Sequence, residues 1–325
     1  MKTLTSFPRL HIGLLDMANA TDRAFGGAGF FIAGPPIRLR FELQPHFELL
    51  ERGFVDSDGK NDLQSAVARL RAEVGNSGIR LEIEDMPPQH VGLGTKTALI
   101  LGALKSIQLA RRYELSESTL QEISGRGGAS GVGVNGFFTG GFVVDLGHSA
   151  AEYKKGLVPS SAKIPAKTPP ATIRLRIPAN WVFHLLLPPG KRFAGQSEIA
   201  FFRTATPIPG PEALEAIAAT YHGVVPSVLY GDLSALKRNL RTLRQTGFKR
   251  REIDGQPKCV TELVEEIDRK TPCAVTMSSM GPLVFAVAQQ NDSRTETALR
   301  DISSQTGTEF LGSFGARNSG YEVSD

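Results

Sequence analysis

The sequence predicts an α+β protein built as two domains, and three observations carry that reading. At 325 residues, 41% of them hydrophobic, the chain exceeds one typical domain and has ample apolar material for packed cores. Alternating strand-like runs and helix-like runs intermix without the regular strand–helix–strand order of a parallel sheet. The segment 160–170, rich in Pro, Ser and Lys, reads as a linker or long surface loop between a glycine-rich first half and a helix-rich second half. The domains are drawn as 1–165 and 166–325.

In the first half, strands are expected near 5–15, 28–33, 37–43, 79–85 and 137–146, with helices near 61–75, 95–113 and 116–124. The first strand alternates: Leu10, Ile12 and Leu14 take one face, Arg9, His11 and Gly13 the other. In the helix at 95–113, Ile100, Ala103, Leu104, Ile107 and Ala110 share a face, and Arg111 and Arg112 complement its negative end. Ser116 caps the next helix, which stops at Gly125. Past the linker come strands near 173–177 and 181–187, a helix opened by Pro211, a longer helix around 226–246 and another near 259–270. Strands near 273–279 and 283–289 flank Gly281-Pro282. A helix near 293–305 then leads to a final strand near 308–316.

Net charge is +4 with an isoelectric point near 9.1. That suits an anionic ligand and is too small and dispersed for nucleic acid. Cys259 and Cys273 have no paired Cys or His companions, which argues against zinc and for reduced thiols. The start, Met1 to Arg9, lacks the apolar core of a signal peptide, and no run approaches membrane-spanning length. The expectation is a soluble cytoplasmic protein that binds neither nucleic acid nor membrane.

The 34 glycines concentrate at 26–29, 92–94 and 125–141. In Gly92-Leu93-Gly94-Thr95-Lys96-Thr97, two glycines and three polar residues open an apolar helix. Unpaired N–H groups at a helix start and the helix dipole favour an anion, and Lys96 adds a full charge. A Walker loop is excluded, because Thr95 separates Gly94 from Lys96. The other reading is a tight entry into a buried helix. Arg9 beside His11 is either an anion-binding pair or a solvated strand face. Residues 131–136 form a G-x-G-x-x-G, but a helix precedes it and a strand is expected after it, so the dinucleotide reading fails. That loop leaves Arg126 among small residues, with Asp145 and His148 following, or it is only a flexible connection. Ser278-Ser279-Met280-Gly281-Pro282 fits a hairpin turn, and Lys249-Arg250-Arg251 fits a solvated basic run.

Taken together, these segments resemble the GHMP kinase superfamily. Pro8, Arg9 and Gly13 resemble its first motif, and Pro87 through Ala98 its Gly-Leu-Gly phosphate loop. Its kinases carry Ser-Ser after that loop and a Gly-Ala-Gly type third motif. This chain has Thr95-Lys96-Thr97 and Ser278-Ser279-Met280-Gly281-Pro282 there. Both departures argue against ATP-dependent phosphorylation of a small molecule, which stands as the alternative function. A non-catalytic ligand-binding homologue is a further one.

Within the superfamily the chain is more similar to the β-ribofuranosylaminobenzene 5′-phosphate synthase family. The matching segments are Arg9 to Asp16, Gly26 to Gly29, Gly125 to Gly133, Gly140 to Asp145, Gly247 to Arg250 and Ser278 to Pro282. Met280 stands where that family often has Trp or Phe. The resemblance implies a GHMP-kinase-like fold, with a ribosomal S5 domain 2-like first half and a ferredoxin-like second half. It implies that phosphoribosyl pyrophosphate and 4-aminobenzoate yield the ribofuranosylaminobenzene phosphate, CO2 and pyrophosphate, the first committed step of tetrahydromethanopterin biosynthesis. It also implies Mg²⁺ and a homodimer. Phosphate handling falls to Gly92, Leu93, Gly94, Thr95, Lys96, Thr97, Gly127, Ser130, Gly131, Ser278, Ser279 and Gly281. Arg9 and Arg126 are assigned to phosphate or carboxylate groups, because Arg offers a two-pronged fit to either. His11 is assigned to orienting the substrate or acting as acid. Asp16 or Asp145 is assigned to Mg²⁺ or the ribose hydroxyls.

Overall fold

The computed structural model describes residues 1–153, 156–159, 162–165 and 167–325. Residues 160, 161 and 166 of the expected linker lie outside the described residues. In chain order come strands β1 (Lys2–Ser6), β2 (Arg9–Asp16), β3 (Arg23–Phe31), β4 (Ile37–Leu43) and β5 (Glu48–Leu50), helix α1 (Ser57–Val74) and strand β6 (Ile79–Asp85). Helices α2 (Thr95–Arg111), α3 (Glu117–Ser124) and α4 (Val132–Thr139) precede strands β7 (Phe142–Asp145), β8 (His148–Ser149), β9 (Ala171–Leu175) and β10 (Trp181–Leu187). Helices α5 (Gly195–Ala205), α6 (Gly210–Ala218), α7 (Val225–Tyr230), α8 (Leu233–Gln245), α9 (Gly247–Asp254) and α10 (Lys258–Lys270) follow. Strands β11 (Ala274–Met277) and β12 (Val284–Gln289), helix α11 (Ser293–Thr306) and strands β13 (Glu309–Gly315) and β14 (Glu322–Ser324) complete the chain.

These strands form three sheets, ordered β14-β1-β4-β6-β5, β2-β3-β7-β9 and β11-β12-β10-β13. In the last, the four strands taken in chain order lie 4-1-3-2 across the sheet, the ferredoxin-like split arrangement. The first sheet packs on α1 and α2 through Leu39, Leu81, Leu99, Ala103 and Ile107. The middle and ferredoxin-like sheets share a core, in which Phe30 meets Phe142, Phe183 and Phe285 at centroid separations of 4.8, 5.4 and 6.4 Å. Helices α10 and α11 cover the opposite face of the ferredoxin-like sheet.

Most expected elements are present within a few residues, and the differences have physical causes. The strand expected at 137–146 is helix to Thr139 and strand only over Phe142–Asp145. The glycines just before the expected strand, read as loop, instead let a helix pack closely on β3: a Cβ on Gly136 would fall 1.9 Å from the Phe31 ring. The helix expected at 226–246 is broken at Gly231, whose φ is +68°, and restarts behind the Asp232 N-cap. Leu14 does not share a face with Leu10 and Ile12. The β2–β3 register shifts between His11 and Gly13, and the bulge turns Leu14 toward Met17, Phe25 and Phe202 instead. That shift also decides which side chains of β2 face the cleft described next.

Candidate active site

The loop before α2 sets the cleft. Gly92 and Gly94 have φ of +110° and +71°, and a Cβ on Gly94 would press within 2.9 Å of the Arg9 side chain. Leu93 between them is buried and anchors the loop in the core. Gly94 is the N-cap of α2 and supplies no side-chain hydrogen bond. The first N–H groups of α2 therefore point outward, with Thr95, Lys96 and Thr97 around them. Lys96 Nζ donates to Asp62 Oδ2 at 3.0 Å, one turn along α1 from Asp58.

Arg9 ties three segments together. Its Nη1 donates to Gly92 O at 2.8 Å and Ser279 O at 3.3 Å, and its backbone N–H donates to Leu93 O. Arg126 donates through Nε to Thr97 Oγ1 at 3.3 Å and lies 3.8 Å from Asp62. Burial lowers the Arg9 guanidinium to about 10, Glu252 opposing and Arg126 adding to the fall. Burial likewise lowers Arg126. Two cavities of about 120 Å³ open here. One is lined by Arg9, His11, Leu14, Ser130, Phe202 and Met280. The other lies over Thr95, Lys96 and Thr97. A larger one of about 570 Å³ adjoins them, bounded by Asp58, Asp62, Arg69 and Lys96. Arg126 borders all three.

Beneath the cleft runs a buried polar chain. His11 Nε2 meets Ser130 Oγ at 2.9 Å, and Ser130 Oγ donates to Asp145 Oδ2 at 2.8 Å. On the other side, His11 Nδ1 meets Ser279 Oγ at 3.2 Å. Ser279 Oγ donates to Glu252 Oε2 at 2.9 Å and accepts from Lys249 Nζ at 2.6 Å. Lys249 Nζ also donates to Met277 O and pairs with Glu252 at 2.6 Å. Burial pushes the Asp145 carboxyl up to about 6, against the pull of Gly147 N–H and Ser130. Burial, then Arg9 and Lys249, hold the His11 imidazole well below its usual range. Burial also lowers Lys249, with Glu252 opposing.

The cleft thus gathers Arg9, His11, Gly92, Gly94, Thr95, Lys96, Thr97, Arg126, Gly127, Ser130 and Ser279, with Asp145 directly below Ser130. Other expected site residues serve the fold. Asp16 accepts from Ala18, Ala20 and Thr21 N–H and from the Thr21 hydroxyl, so its carboxylate closes its own turn. Ser278 Oγ donates to Gly92 O and accepts from His11 N. Gly281 sits against the Val91 backbone, and Gly131 against Pro169 O. Both Asp145 oxygens are already hydrogen-bonded, by Ser130 and by Gly147 N, which leaves Asp145 poorly suited to a metal.

Sequence reasoning missed Lys249, Glu252, Asp62 and the whole of α5. Lys249 and Glu252 are 2% and 1% exposed as side chains, not members of a solvated run. Arg250 and Arg251 do face outward, where both pair with Glu212. After Gly247, the buried positions of α9 are Phe248, Lys249, Glu252 and Ile253, so helical spacing was the available signal. Helix α5 brings Glu198 to the cleft, where its charge acts on both Arg9 and Arg126.

Mg²⁺ favours oxygen ligands and is commonly held by one or two carboxylates together with substrate phosphates. Among the described residues, no group of three or more His, Cys, Asp or Glu side chains is arranged to hold a metal alone. Asp58 and Asp62 border the large cavity beside Lys96 and fit the shared mode of binding.

No protein-family model matches the chain. A curated relative from Archaeoglobus fulgidus, "Beta-ribofuranosylphenol 5'-phosphate synthase", is 32% identical over 324 residues, 99% of each chain. One of the same name from Methanothermobacter thermautotrophicus is 28% identical over 90% of this chain and 91% of that one. Among solved structures, homoserine kinase from Cytophaga hutchinsonii superposes with a TM-score of 0.70 at 17% identity, covering 99% of this chain and 97% of that one. Phosphomevalonate kinase from Streptococcus pneumoniae superposes with a TM-score of 0.70 at 10% identity, covering 96% and 98%. The fold is the GHMP-kinase-like α+β fold.

Proposed function

Because the chain belongs to the family of beta-ribofuranosylphenol 5′-phosphate synthases, we propose that it joins ribose 5-phosphate, taken from phosphoribosyl pyrophosphate, to a para-substituted benzoate, with loss of CO2 and pyrophosphate. The observation that carries the reading is full-length similarity to synthases of that name, together with an uncapped helix start beside Lys96 that suits a diphosphate. The relatives' name carries a ribofuranosylphenol, so 4-hydroxybenzoate stands as acceptor beside 4-aminobenzoate.

Departure of pyrophosphate leaves positive charge on the ribose and builds negative charge on the leaving group. The N–H groups of Thr95, Lys96 and Thr97, with the Lys96 ammonium, face that developing charge. Arg9 and Arg126 offer two-pronged donors to a phosphate or carboxylate. Leu14, Phe202 and Met280 supply an apolar wall for a ring. The attacking atom is the ring carbon that bears the carboxylate, driven by electrons from the para substituent, and loss of CO2 restores aromaticity. Asp58 and Asp62, which border the large cavity, would hold Mg²⁺ together with the diphosphate, and the ion would supply further charge neutralisation on the leaving group. The reading includes the cytoplasm as compartment, in keeping with two free thiols, and the homodimer of the resemblance, which light scattering tests.

The test is pyrophosphate release from phosphoribosyl pyrophosphate with each acceptor. Wild type is expected to release it only when an acceptor is present. No pyrophosphate release with either acceptor, together with ATP consumption when ATP is supplied instead, would return the chain to the kinase reading.

A further inference from the structure

The buried chain from Asp145 to Glu252 is one hydrogen short. Its four contacts are Asp145–Ser130, Ser130–His11, His11–Ser279 and Ser279–Glu252, at 2.8, 2.9, 3.2 and 2.9 Å. With both carboxylates ionised and His11 neutral, two hydroxyls and one ring N–H supply three hydrogens. The missing one falls at the longest contact, between His11 Nδ1 and Ser279.

A fourth hydrogen has three possible homes. On His11 it would create a buried cation between Arg9 on β2 and Lys249 on α9, and both charges disfavour the imidazolium. On Glu252 it would weaken the direct Lys249 pair at 2.6 Å. On Asp145 it meets no cation at contact distance among the described residues. The other charged or titratable groups nearby among the described residues are Arg126 before α4, Glu198 on α5, Arg23 on β3, which donates to Leu146 O and Gly147 O, and His148 on β8, which is bonded to Gly127 O. Burial already lifts the Asp145 carboxyl to about 6.

We propose that this chain is a one-proton store, filled at Asp145 through Ser130, that takes the hydroxyl proton of a para-hydroxylated acceptor as its ring attacks and returns it when CO2 leaves. The proposal rests on the phosphoribosyl-transfer reading above. Ser130 Oγ is the member of the chain that both lines the cleft and contacts Asp145. In the step, the ring carbon bonds to ribose C1′ and the C1′–O bond breaks, its electrons leaving with pyrophosphate. The phenolic proton passes to Ser130 Oγ while the Ser130 proton passes to Asp145. The bond to the carboxylate then breaks, its electrons restore the ring, and the stored proton returns to the phenolic oxygen. Lys249 and Glu252 act as positioning residues at the far end.

Filling the store reverses the chain. Empty, Ser130 donates to Asp145 and His11 donates through Nε2. Filled from water in the ligand-free protein, Asp145 donates to Ser130, Ser130 to Nε2, and His11 donates through Nδ1 to Ser279, the ring giving up its Nε2 proton and taking one at Nδ1 by exchange with water. The two equilibrium forms therefore differ in the His11 tautomer and not in its charge, whereas during turnover His11 keeps its Nε2 proton and Ser130 donates back to the acceptor oxygen.

Histidine ¹⁵N NMR on the full chain, with the His11 signals assigned through His11→Gln, tests this. The expected result is a neutral ring from pH 5 to 8 that passes from Nδ1–H to Nε2–H with a midpoint near 6. Asp145→Asn should hold Nδ1–H throughout. A ring that does not change with pH in the wild type, or one that becomes imidazolium, overturns the store. In turnover, Ser130→Ala and Asp145→Asn should each lower kcat about 100-fold or more with 4-hydroxybenzoate. With 4-aminobenzoate, whose nitrogen lone pair drives attack without losing a proton, the loss should be at least about 30-fold smaller than with 4-hydroxybenzoate. Equal losses on both acceptors overturn the catalytic role. Turnover of neither acceptor by wild type would sink the reaction reading, and the NMR titration would still decide the store by itself.

Discussion

Gly27 has no side chain because His11 and Ser130 use the space: a Cβ there would lie 2.5 Å from His11 Nε2 and 2.8 Å from Ser130 Oγ. Gly27→Ala is predicted to separate that pair and lower kcat with 4-hydroxybenzoate at least about tenfold, with the far-ultraviolet circular dichroism unchanged. A normal kcat would mean that the contact does not matter to turnover. The ion pair below makes a different prediction. Lys249→Met leaves Glu252 buried and unpaired, so stability should fall by about 3–5 kcal/mol, read as the urea midpoint. Adding Glu252→Leu should recover much of that loss. At this scale the sequence was partly legible. Arg9 and His11 stood out by alternation, and Lys96 by its helix start. Lys249 was hidden because two arginines that reach outward to Glu212 follow it directly, and only the packing of α9 against β2 separates it from them.

The N-terminus of α2 is where element and site meet. Lys96→Met is predicted to raise KM for phosphoribosyl pyrophosphate about tenfold, one charge-assisted hydrogen bond's worth, with a smaller change in kcat. Steady-state kinetics at saturating acceptor check it, and an unchanged KM would remove Lys96 from the diphosphate. Arg126→Ala should lower kcat/KM at least about tenfold, because that side chain borders all three cavities. Helix α2 was legible because Ile100, Ala103, Leu104 and Ile107 repeat at helical spacing and are all buried. Helix α5 was not, since Phe202 is its one buried residue among those described and gives no stripe to read. Helix α4 was misread because its glycines serve close packing, which no local propensity reports.

Across the whole molecule, the aromatic cluster around Phe30 joins the middle sheet to the ferredoxin-like sheet. Phe30→Ala should cost about 3–5 kcal/mol. That joint was invisible in sequence, because residues 30, 142, 183 and 285 share no local pattern and meet only through topology. Asp145 sets a second molecule-wide property. Its folded carboxyl titrates near 6 against an ordinary value of 3.8. The native state therefore holds that proton more tightly than the unfolded chain. The contribution is present below about pH 4 and is lost as pH rises through 6, an effect of about 3 kcal/mol. The stability of wild type relative to Asp145→Asn should fall by that order between pH 4 and 7, and a constant difference would contradict the raised carboxyl. The central claim is the decarboxylating transfer. Its most direct measurement is release of labelled CO2 from carboxyl-labelled 4-hydroxybenzoate or 4-aminobenzoate, with phosphoribosyl pyrophosphate and Mg²⁺ present. Release should require both substrates and match pyrophosphate one for one. Pyrophosphate formed while the carboxyl label stays on the aromatic product would contradict the decarboxylating transfer.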